Sequence, residues 1–381
     1  MSSDQPAQMP TKQPARKPDT PLRRGWTTGA CAAAASAAAL RAILSRQHSD
    51  SVTIRLPKGE KPTFKIHCSE KTPKGWRTSI IKDAGDDPDV THGAEIIVEV
   101  RPLSHGAGHV FKAGVGVGTV TLPGLPLNVG EPAINPGPRG MISDALDAVA
   151  EEFDAASDAE ITVSIPNGEA LAEKTMNGRL GIKGGLSVLG TTGIVIPYSC
   201  ASWINSIHRG VDVARNLNIH HLVATTGSTS EAAAMRAFPD LPEQAFIDMG
   251  DFVGGLLKYL RRHPVPLLTI AGGMAKLTKL AQGHLDLHSK RSRVDFGQLA
   301  KSARARGASS DIQAAIASAN TAMEAFGICK ESNVDLAYGI AREARETAMA
   351  SVAGEIEITI ILYDRAGVQI ATSQPDETPD A

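Results

Sequence analysis

Cysteine is scarce in this chain and is nowhere spaced as in metal sites or disulfide scaffolds. The 381 residues include Cys31, Cys68, Cys200 and Cys329, which lie far apart and form no CxxC pair. This pattern excludes a zinc framework and a disulfide-stapled fold, and it favours a reducing cytoplasm. Because no marked base stands beside Cys200, we interpret it as a small buried thiol rather than a nucleophile.

An excess of charge of one sign is also missing, and aromatic residues are few. The formal net charge is −2 and aromatic residues make up 4% of the chain. A nearly neutral chain gives no general reason to expect nucleic acid or an anionic membrane as a partner. The length and the 42% hydrophobic content indicate a globular protein of two or three domains.

Long strongly apolar runs do not occur. The nearest approach, RRGWTTGACAAAASAAAL at 23–40, has alanine or glycine at ten of its eighteen positions, and Arg41 and Arg46 interrupt any continuation. About twenty residues of polar, proline-punctuated chain precede it, which suits neither a leader peptide nor a membrane helix. We predict a helix that starts near Gly29, is capped by Thr28 and packs closely against a sheet.

The first half of the chain alternates polar and apolar residues. This period-two pattern, with Gly and Pro between segments, predicts an antiparallel or mixed sheet formed by 52–56, 62–68, 77–83, 95–100 and 116–122. A proline-rich loop at 123–140 and a helix over 141–156 follow. The pattern predicts an α+β domain over 21–157, after a disordered tail at 1–20.

From about residue 159, buried strands alternate with helices. Strands at 160–166, 220–227, 245–250 and 266–273, the last three ending at glycine, alternate with helices and predict a Rossmann-like parallel α/β domain over 158–290. Ligands of such sheets bind outside the carboxyl ends of the strands. A lone alternating strand at 355–364 suggests that 291–366 completes the first domain, before a disordered tail at 367–381. The predicted fold class is therefore α/β.

The segment KDAGDDPDVTHG at 82–93 concentrates acidic side chains. Four carboxylates and an imidazole follow a strand within ten residues: Asp83, Asp86, Asp87, Asp89 and His92. The spacing matches no calcium loop. The cluster could bind a cation, act as a base or hold a positively charged group, but Asp, Gly and Pro are also ordinary turn residues. Both interpretations stay open.

Several glycine-rich segments could approach a ligand closely. LGTTG at 189–193 and TTGSTSE at 225–231 offer amide and hydroxyl donors, as anion and nucleotide cradles do, although neither is a GxGxxG or a GxxxxGK[ST] motif. Tight packing is the alternative. Asp251, after Gly250, stands where ribose hydroxyls are often bound, or it caps a helix.

A basic stretch at 274–289 contains Lys276, Lys279, His284 and His288. It could be a solvated edge or a binding site for carboxylates. Gly283 interrupts the helix that two histidines would need to share a metal, so we expect no metal there. No GxSxG elbow occurs, and serine-based catalysis has no support.

At these motifs the chain resembles the cobalt-precorrin-5B C(1)-methyltransferase family, CbiD. The resemblance covers roughly residues 22–364 and is carried by LRRGWTTGACAAAAS (22–36), KDAGDDPDVTHG (82–93), GVGTVTLPGL (116–125), PAINPGPRGMI (132–142), the stretch at 165–197, GDFVG (250–254) and KLTKLAQGHLDLHS (276–289). Two positions depart from the family pattern. Asp251 stands where Asn is usual, and the usual His before Lys276 is absent.

The resemblance implies that a methyl group passes from S-adenosylmethionine to C1 of a cobalt-containing tetrapyrrole, giving cobalt-precorrin-6A in corrin-ring (cobalamin) biosynthesis. It implies no protein-bound metal, because the cobalt arrives within the substrate, and a fold other than the usual tetrapyrrole-methylase fold. A metal-free precorrin stays open as the substrate. The alternatives from other classes are a Mg-dependent phosphotransferase and a non-catalytic tetrapyrrole carrier. We expect a cytoplasmic protein with no nucleic-acid or membrane partner, and a homo-oligomer stays open.

This chemistry requires the protein mainly to hold donor and acceptor aligned at about 3 Å. We predict that the donor lies at the strand ends against Gly190, Thr191, Thr192, Gly193, Thr226, Gly227, Ser228, Gly250 and Asp251. The tetrapyrrole is predicted to lie between the domains and to contact Arg23, Arg24, Thr27, Thr28, Lys82, Lys276, Lys279, His284 and His288. Positioning or proton transfer is assigned to Asp86, Asp87 and His92.

Overall fold

Two five-stranded sheets organise the part of the chain that this computed structural model describes, residues 21–352 and 356–374. The predicted tail at 1–20 and the end of the chain after residue 374 lie outside the described residues. Each sheet carries its own hydrophobic core. The chain therefore has the mixed α/β class that the sequence predicts.

The elements of the first half surround the first sheet. Its helices are α1 (Thr28–Ser45), α2 (Pro136–Glu152) and α3 (Gly168–Ala172). The strands of this half are β1 (Gly25–Trp26), β2 (Ser51–Thr53), β3 (Thr63–Lys65), β4 (Cys68–Lys71), β5 (Trp76–Ile81), β6 (Glu95–Pro102), β7 (His109–Ala113), β8 (Thr119–Val120), β9 (Ala159–Ser164), β10 (Ile182–Lys183) and β11 (Ile194–Val195).

The elements of the second half surround the second sheet. Its helices are α4 (Cys200–Asn216), α5 (Ser228–Ala237), α6 (Val253–Leu260), α7 (Met274–Ala281), α8 (Phe296–Arg304), α9 (Ser310–Ala317), α10 (Ala322–Glu331) and α11 (Leu336–Ser351), with a 3₁₀ turn at Glu243–Ala245. Its strands are β12 (His221–Thr225), β13 (Phe246–Asp248), β14 (Leu267–Gly273), β15 (Glu357–Tyr363) and β16 (Gln369–Thr372).

The first sheet has the order β4-β5-β6-β9-β7 and is mixed, with β7 parallel to β9 and the other pairs antiparallel. The prediction that 160–166 opens the parallel domain was wrong, because β9 pairs with β6 in this sheet. Its buried residues alternate with half-buried ones. That alternation is typical of a sheet covered on one face, whereas strands of a parallel sheet are buried on both.

Helix α1 is made of small residues because it lies between the first sheet and α2. The Thr27 hydroxyl accepts a hydrogen bond from Ala30 N at 3.2 Å, so Thr27 rather than Thr28 caps the helix. Among the described residues α1 is the one helix long and apolar enough to cross a membrane, and 78% of it is buried inside the protein.

The second sheet has the order β13-β12-β14-β15-β16, with the first four strands parallel and β16 antiparallel. The prediction that 355–364 returns to the first domain was wrong, because β15 pairs with β14 from Leu267↔Glu357 to Gly273↔Tyr363. Helix α11, which the sequence analysis missed, supplies the long crossover that a parallel strand needs. The predicted tail was wrong where β16 forms. The domain boundaries stay predictions.

Helices cover both faces of the second sheet. Helix α5 packs on one face against Val223, Phe246 and Ala271, while α4, α6, α7 and α11 pack on the other. The chain therefore leaves the neighbouring strands β12 and β14 towards opposite faces. In open α/β sheets such a point opens a crevice at the carboxyl ends of the strands.

We predict that α1 cannot accept a larger side chain in its centre. Ala34 is fully buried, and Ala34→Leu should lower the free energy of unfolding by about 1–3 kcal/mol through overpacking. Urea denaturation followed by circular dichroism measures the change. Ala148→Leu, at an exposed position of α2, is the control and should change stability by no more than about 0.5 kcal/mol. Equal stability of the two variants would contradict the tight packing.

Candidate functional site

Most of the residues predicted for the site fall into two groups, and Lys279, His284 and His288 lie outside both. The helix-start cluster comprises residues 23–28, 82–93 and 189–193, around the N-terminus of α1. The strand-end crevice comprises Thr226–Ser230, Gly273–Lys276, Met323 and Tyr363–Arg365, with Gly250–Asp251 beside it. The predicted placement of LGTTG at the strand ends was wrong. Gly29 N donates to Leu189 O and Thr27 N donates to Gly193 O, at 3.2 and 3.0 Å, so LGTTG packs on α1.

In the helix-start cluster, carboxylates join distant parts of the chain. The Arg23 guanidinium donates to both oxygens of Asp83 at 2.5 and 2.9 Å. Arg23 N donates to Asp86 Oδ2 at 2.6 Å, and Tyr198 N donates to Asp87 Oδ1 at 2.7 Å. Asp86 and Asp87 therefore hold backbone in place, which agrees with a positioning role.

Lys82 is an internal brace of this cluster. Its side chain is 3% exposed, and its ammonium lies 2.5 Å from Asp89 Oδ2 and also donates to Thr91 Oγ1. Burial would raise the pKa of Asp89, but the Lys82 charge and the hydrogen bonds from Lys82 and Thr91 lower it overall. The Lys82 ammonium therefore already has protein partners. Its contact with a carboxylate arm of the substrate stays a prediction.

Glycines in this cluster permit close backbone packing. Gly190 has a φ of +113°, and a Cβ there would lie 2.4 Å from Thr27 Cβ. At Gly85, with a φ of +69°, a Cβ would lie 2.2 Å from Arg23 O. These contacts agree with the packing interpretation of LGTTG. Whether Gly190, Thr191, Thr192 and Gly193 also contact a ligand stays a prediction.

A few predicted residues of the helix-start cluster reach solvent. Arg24 is exposed, and His92 is 52% exposed with its Nδ1 accepting from Ala84 N at 3.1 Å. That bond leaves His92 Nε2 as the nitrogen open to a substrate. Thr27 and Thr28 are 6% and 4% exposed, and the Thr27 hydroxyl is already used as the helix cap.

The strand-end crevice has a volume of about 370 Å³. Helix α5 begins there, after Gly227, and no side chain caps it. The backbone N–H groups of its first turn, Ser228–Ser230, therefore lack intrahelical partners and suit an anionic or polar group. The structure thus brings Thr226, Gly227 and Ser228 to the mouth of a cavity.

Lys276 lines this crevice and links two of the turns around it. Its Nζ lies 3.1 Å from Asp251 Oδ1 and donates to Thr226 O. Gly250 N donates to Thr225 O at 3.2 Å. The structure therefore brings Thr226, Gly250 and Asp251, which were predicted to bind the donor, together with Lys276, which was predicted to bind the tetrapyrrole.

Thr225 precedes the lining residue Thr226, and Tyr363 lines the crevice. Both carry a buried hydroxyl that has no hydrogen-bond partner among the described residues. The two residues are 0% and 3% exposed. An unpaired buried hydroxyl costs about 1–3 kcal/mol, so a ligand that pairs with it binds more tightly. Tyr363 was not among the predicted site residues because its strand was assigned to the other domain. The apolar segment directly before Tyr363 and Asp364 was the signal in the sequence that could have located it.

The remaining basic residues follow the crevice in sequence. Lys279 is 8% exposed and its Nζ donates to Leu287 O at 2.8 Å, while burial lowers its pKa. His284 is half-buried, and exposed His288 accepts a bond from Lys290 N at 3.2 Å. Their contact with substrate stays a prediction. Within the described ranges, no group of three or more His, Cys, Asp and Glu side chains is arranged to hold a metal.

We predict that the Arg23–Asp83 pair makes stability depend on acid pH. The hydrogen bonds from Arg23 lower the pKa of Asp83 from 3.8 to about 2. The carboxylate therefore stabilises the fold above about pH 5, and this contribution is lost as the pH falls towards 2. Asp83→Asn should cost about 0.5–1 kcal/mol at pH 7, because the pair is exposed and screened by solvent, and less at pH 3.

Thermal unfolding of wild type and Asp83→Asn between pH 3 and 7 measures this difference. Asp144→Asn, on the exposed face of α2, is the control and should show no such trend. A loss of stability that is the same at both ends of the range would contradict the assigned role.

Comparisons with known proteins agree with the motifs. The CbiD family profile matches residues 15–197, and the profile of the CbiD C-terminal domain matches residues 286–374. A relative from Halorhodospira halophila, named cobalt-precorrin-5B C(1)-methyltransferase, is 51% identical over 97% of this chain and 98% of its own length. Two others with the same name come from Brucella suis and Methylorubrum extorquens. They are 54% and 52% identical to this chain, over 91% and 93% of it and 94% and 98% of their own lengths.

These names favour the methyltransferase prediction over the phosphotransferase and carrier alternatives. A crystal structure of the cobalamin biosynthesis protein cbiD from Archaeoglobus fulgidus shares 30% identity and covers 71% of this chain and 83% of its own, with a TM-score of 0.39. At that TM-score we transfer no geometry from it. The profile matches and the full-length relatives place the chain in the CbiD family.

Proposed function

We propose that this chain is an S-adenosylmethionine-dependent methyltransferase that methylates C1 of cobalt-precorrin-5B during corrin-ring biosynthesis. The similarity over nearly the full length to relatives with that name carries the proposal. In the reaction a carbon–carbon bond forms at C1 while the bond between the methyl carbon and the sulfonium breaks. The products are cobalt-precorrin-6A and S-adenosylhomocysteine.

The strand-end crevice is the proposed donor site. S-adenosylmethionine supplies an activated methyl group and also carries a carboxylate, an ammonium and a ribose. The N–H groups of Ser228–Ser230 suit the carboxylate. Tyr363 lines the crevice, and its unpaired hydroxyl suits another polar group of the donor. The crevice also lies where ligands of open α/β sheets bind.

Positioning is the main task of the protein residues in this proposal. Methyl transfer to an electron-rich carbon needs no protein nucleophile, so the rate depends on holding donor and acceptor in line. Lys276 joins the turn after β12 to the turn after β13 through Thr226 O and Asp251. This contact fixes both walls of the site before the ligand arrives.

The tetrapyrrole is proposed to lie between the two halves of the chain. Its carboxylate arms suit exposed Arg24 and the accessible Lys276, His284 and His288. The cobalt enters as part of the substrate. Asp86, Asp87 and His92 are proposed to position the adjoining loop rather than to take a proton.

Labelled methyl donor tests the proposed function. Incubation with methyl-labelled S-adenosylmethionine and either cobalt-precorrin-5B or its metal-free analogue should place the label at C1 of the cobalt ring. Mass spectrometry and NMR of the product locate the methyl group. Transfer to neither ring would overturn the proposal, and transfer to the metal-free ring alone would reassign the substrate.

We predict that Tyr363→Phe weakens donor binding without weakening the fold. The variant removes a hydroxyl that has no protein partner, so the dissociation constant for S-adenosylhomocysteine should rise about 3–10-fold, as for one lost hydrogen bond. Calorimetry measures the affinity and thermal unfolding measures the stability.

Tyr259→Phe is the matched control for this prediction. Tyr259 OH donates to Asp212 Oδ1 at 2.6 Å, so this variant should lose about 1–2 kcal/mol of stability and keep wild-type affinity. Wild-type affinity in Tyr363→Phe would remove Tyr363 from the donor site.

A further inference from the structure

A second cleft runs along β13, the edge strand of the second sheet. We name it the β13-edge cleft. Its volume is about 570 Å³, and it lies between residues 173–180, helix α4 and the edge strand β13. Its apolar lining is Met176, Leu180, Trp203, Ile207, Phe246 and Ile247. A cavity of this size and character fits a planar heterocycle of a small ligand.

Trp203 presents a fixed aromatic surface in this cleft. Its side chain is 47% exposed, although its Nε1 donates to Asp248 O at 3.1 Å. The ring also packs against Phe252, with ring centroids 6.3 Å apart. An exposed indole that is already held in one orientation loses little entropy when a ring stacks on it.

Asp248 lies at the carboxyl end of β13, on the wall of the same cleft. The unit β12–α5–β13 is a parallel βαβ unit with a glycine turn at Gly227. In the dinucleotide-binding class of such units, which carries a GxGxxG turn, an acidic residue roughly 20 residues after the turn binds ribose hydroxyls. Asp248 occupies that position. Asp251, which the sequence analysis chose, is ion-paired with Lys276 instead.

The charges of the cleft suit a neutral ring with hydroxyl donors. Glu173 and Asp248 line it together with Lys174 and Arg179. Arg179 already pairs with Glu231 and lies 3.4 Å from a Glu243 oxygen, with 18% of its side chain exposed. Because this guanidinium is neutralised and the carboxylates of Glu173 and Asp248 outnumber the remaining Lys174 charge, the cleft has little attraction for a polycarboxylate macrocycle.

Gly250 lies close both to Trp203 of the cleft and to Thr225, which precedes the crevice residue Thr226. A Cβ at this residue, which has a φ of +55°, would lie 3.3 Å from the Trp203 ring. Gly250 N also donates to Thr225 O. A ligand that passes over Gly250 can therefore occupy the cleft and the crevice together.

We propose that the β13-edge cleft binds the adenosine part of the methyl donor, with the adenine stacked on Trp203 and the ribose hydroxyls bound to Asp248. The inference rests on the proposed function for the identity of the donor. It adds a binding site along the edge strand and assigns it to the adenosine part, so that the amino-acid part occupies the strand-end crevice. Trp203 and Asp248 are binding residues in this assignment, and neither takes part in the transfer itself.

Tryptophan fluorescence and calorimetry test the assignment. The chain has three tryptophans, and the other two, Trp26 and Trp76, belong to the first half. Titration of wild type with S-adenosylhomocysteine and with adenosine should quench fluorescence, and Trp203→Phe should abolish that change. Trp203→Ala should weaken S-adenosylhomocysteine binding about 5–30-fold, the range for one lost base–aromatic stack. Trp76→Phe is the matched control and should bind as wild type.

Asp248 has a test of its own. Wild type should bind adenosine more tightly than 2′,3′-dideoxyadenosine, and Asp248→Asn should reduce this preference. Circular dichroism of both Trp203 variants and of Asp248→Asn confirms that they fold. Wild-type affinity of Trp203→Ala for S-adenosylhomocysteine, or an unchanged ribose preference in Asp248→Asn, would overturn the assignment and leave the proposed function standing. A wild-type protein that binds no S-adenosylhomocysteine would overturn both.

Discussion

The candidate donor site depends on the position of β12 between β13 and β14 in a parallel sheet. Because α5 leaves β12 towards one face and α7 leaves β14 towards the other, the chain cannot fill the space above these strand ends. Lys276 then bridges the turns through Thr226 and Asp251. The open first turn of α5 and Tyr363, whose buried hydroxyl is unpaired, line the same space. One feature of topology therefore brings donors, acceptors and a cavity together.

The helix-start cluster serves the molecule in a different way. Its carboxylates pair with Arg23, Lys82 and backbone N–H groups. Most of these contacts hold together segments that are distant in sequence. Its glycines allow LGTTG to lie against the start of α1. The small side chains of α1 have the same effect in the core, where they let the helix and the sheet approach closely. Much of what looked like binding machinery in the sequence thus builds the scaffold.

Local patterns predicted much of this arrangement, and long-range pairing accounts for what they missed. Alternation predicted the first mixed sheet, and strands that end at glycine located the edge where the crevice opens. The pairing of Asp83 was not visible, because Arg23 lies 60 residues away. The strand at 357–363 was assigned to the other domain because α11 was not recognised as its crossover. Trp203, Asp248 and Tyr363 carry no local sequence motif, and only the folded sheet brings them to the proposed donor site.

The central claim is that the methyl donor binds at the strand ends of the second sheet and not at the LGTTG segment. A crystal structure of the protein with S-adenosylhomocysteine measures this most directly. We expect ligand density between Thr226–Ser230 and Gly273–Lys276, continuing past Gly250 towards Trp203. Ligand density at residues 189–193, beside Arg23 and Thr27, would contradict it.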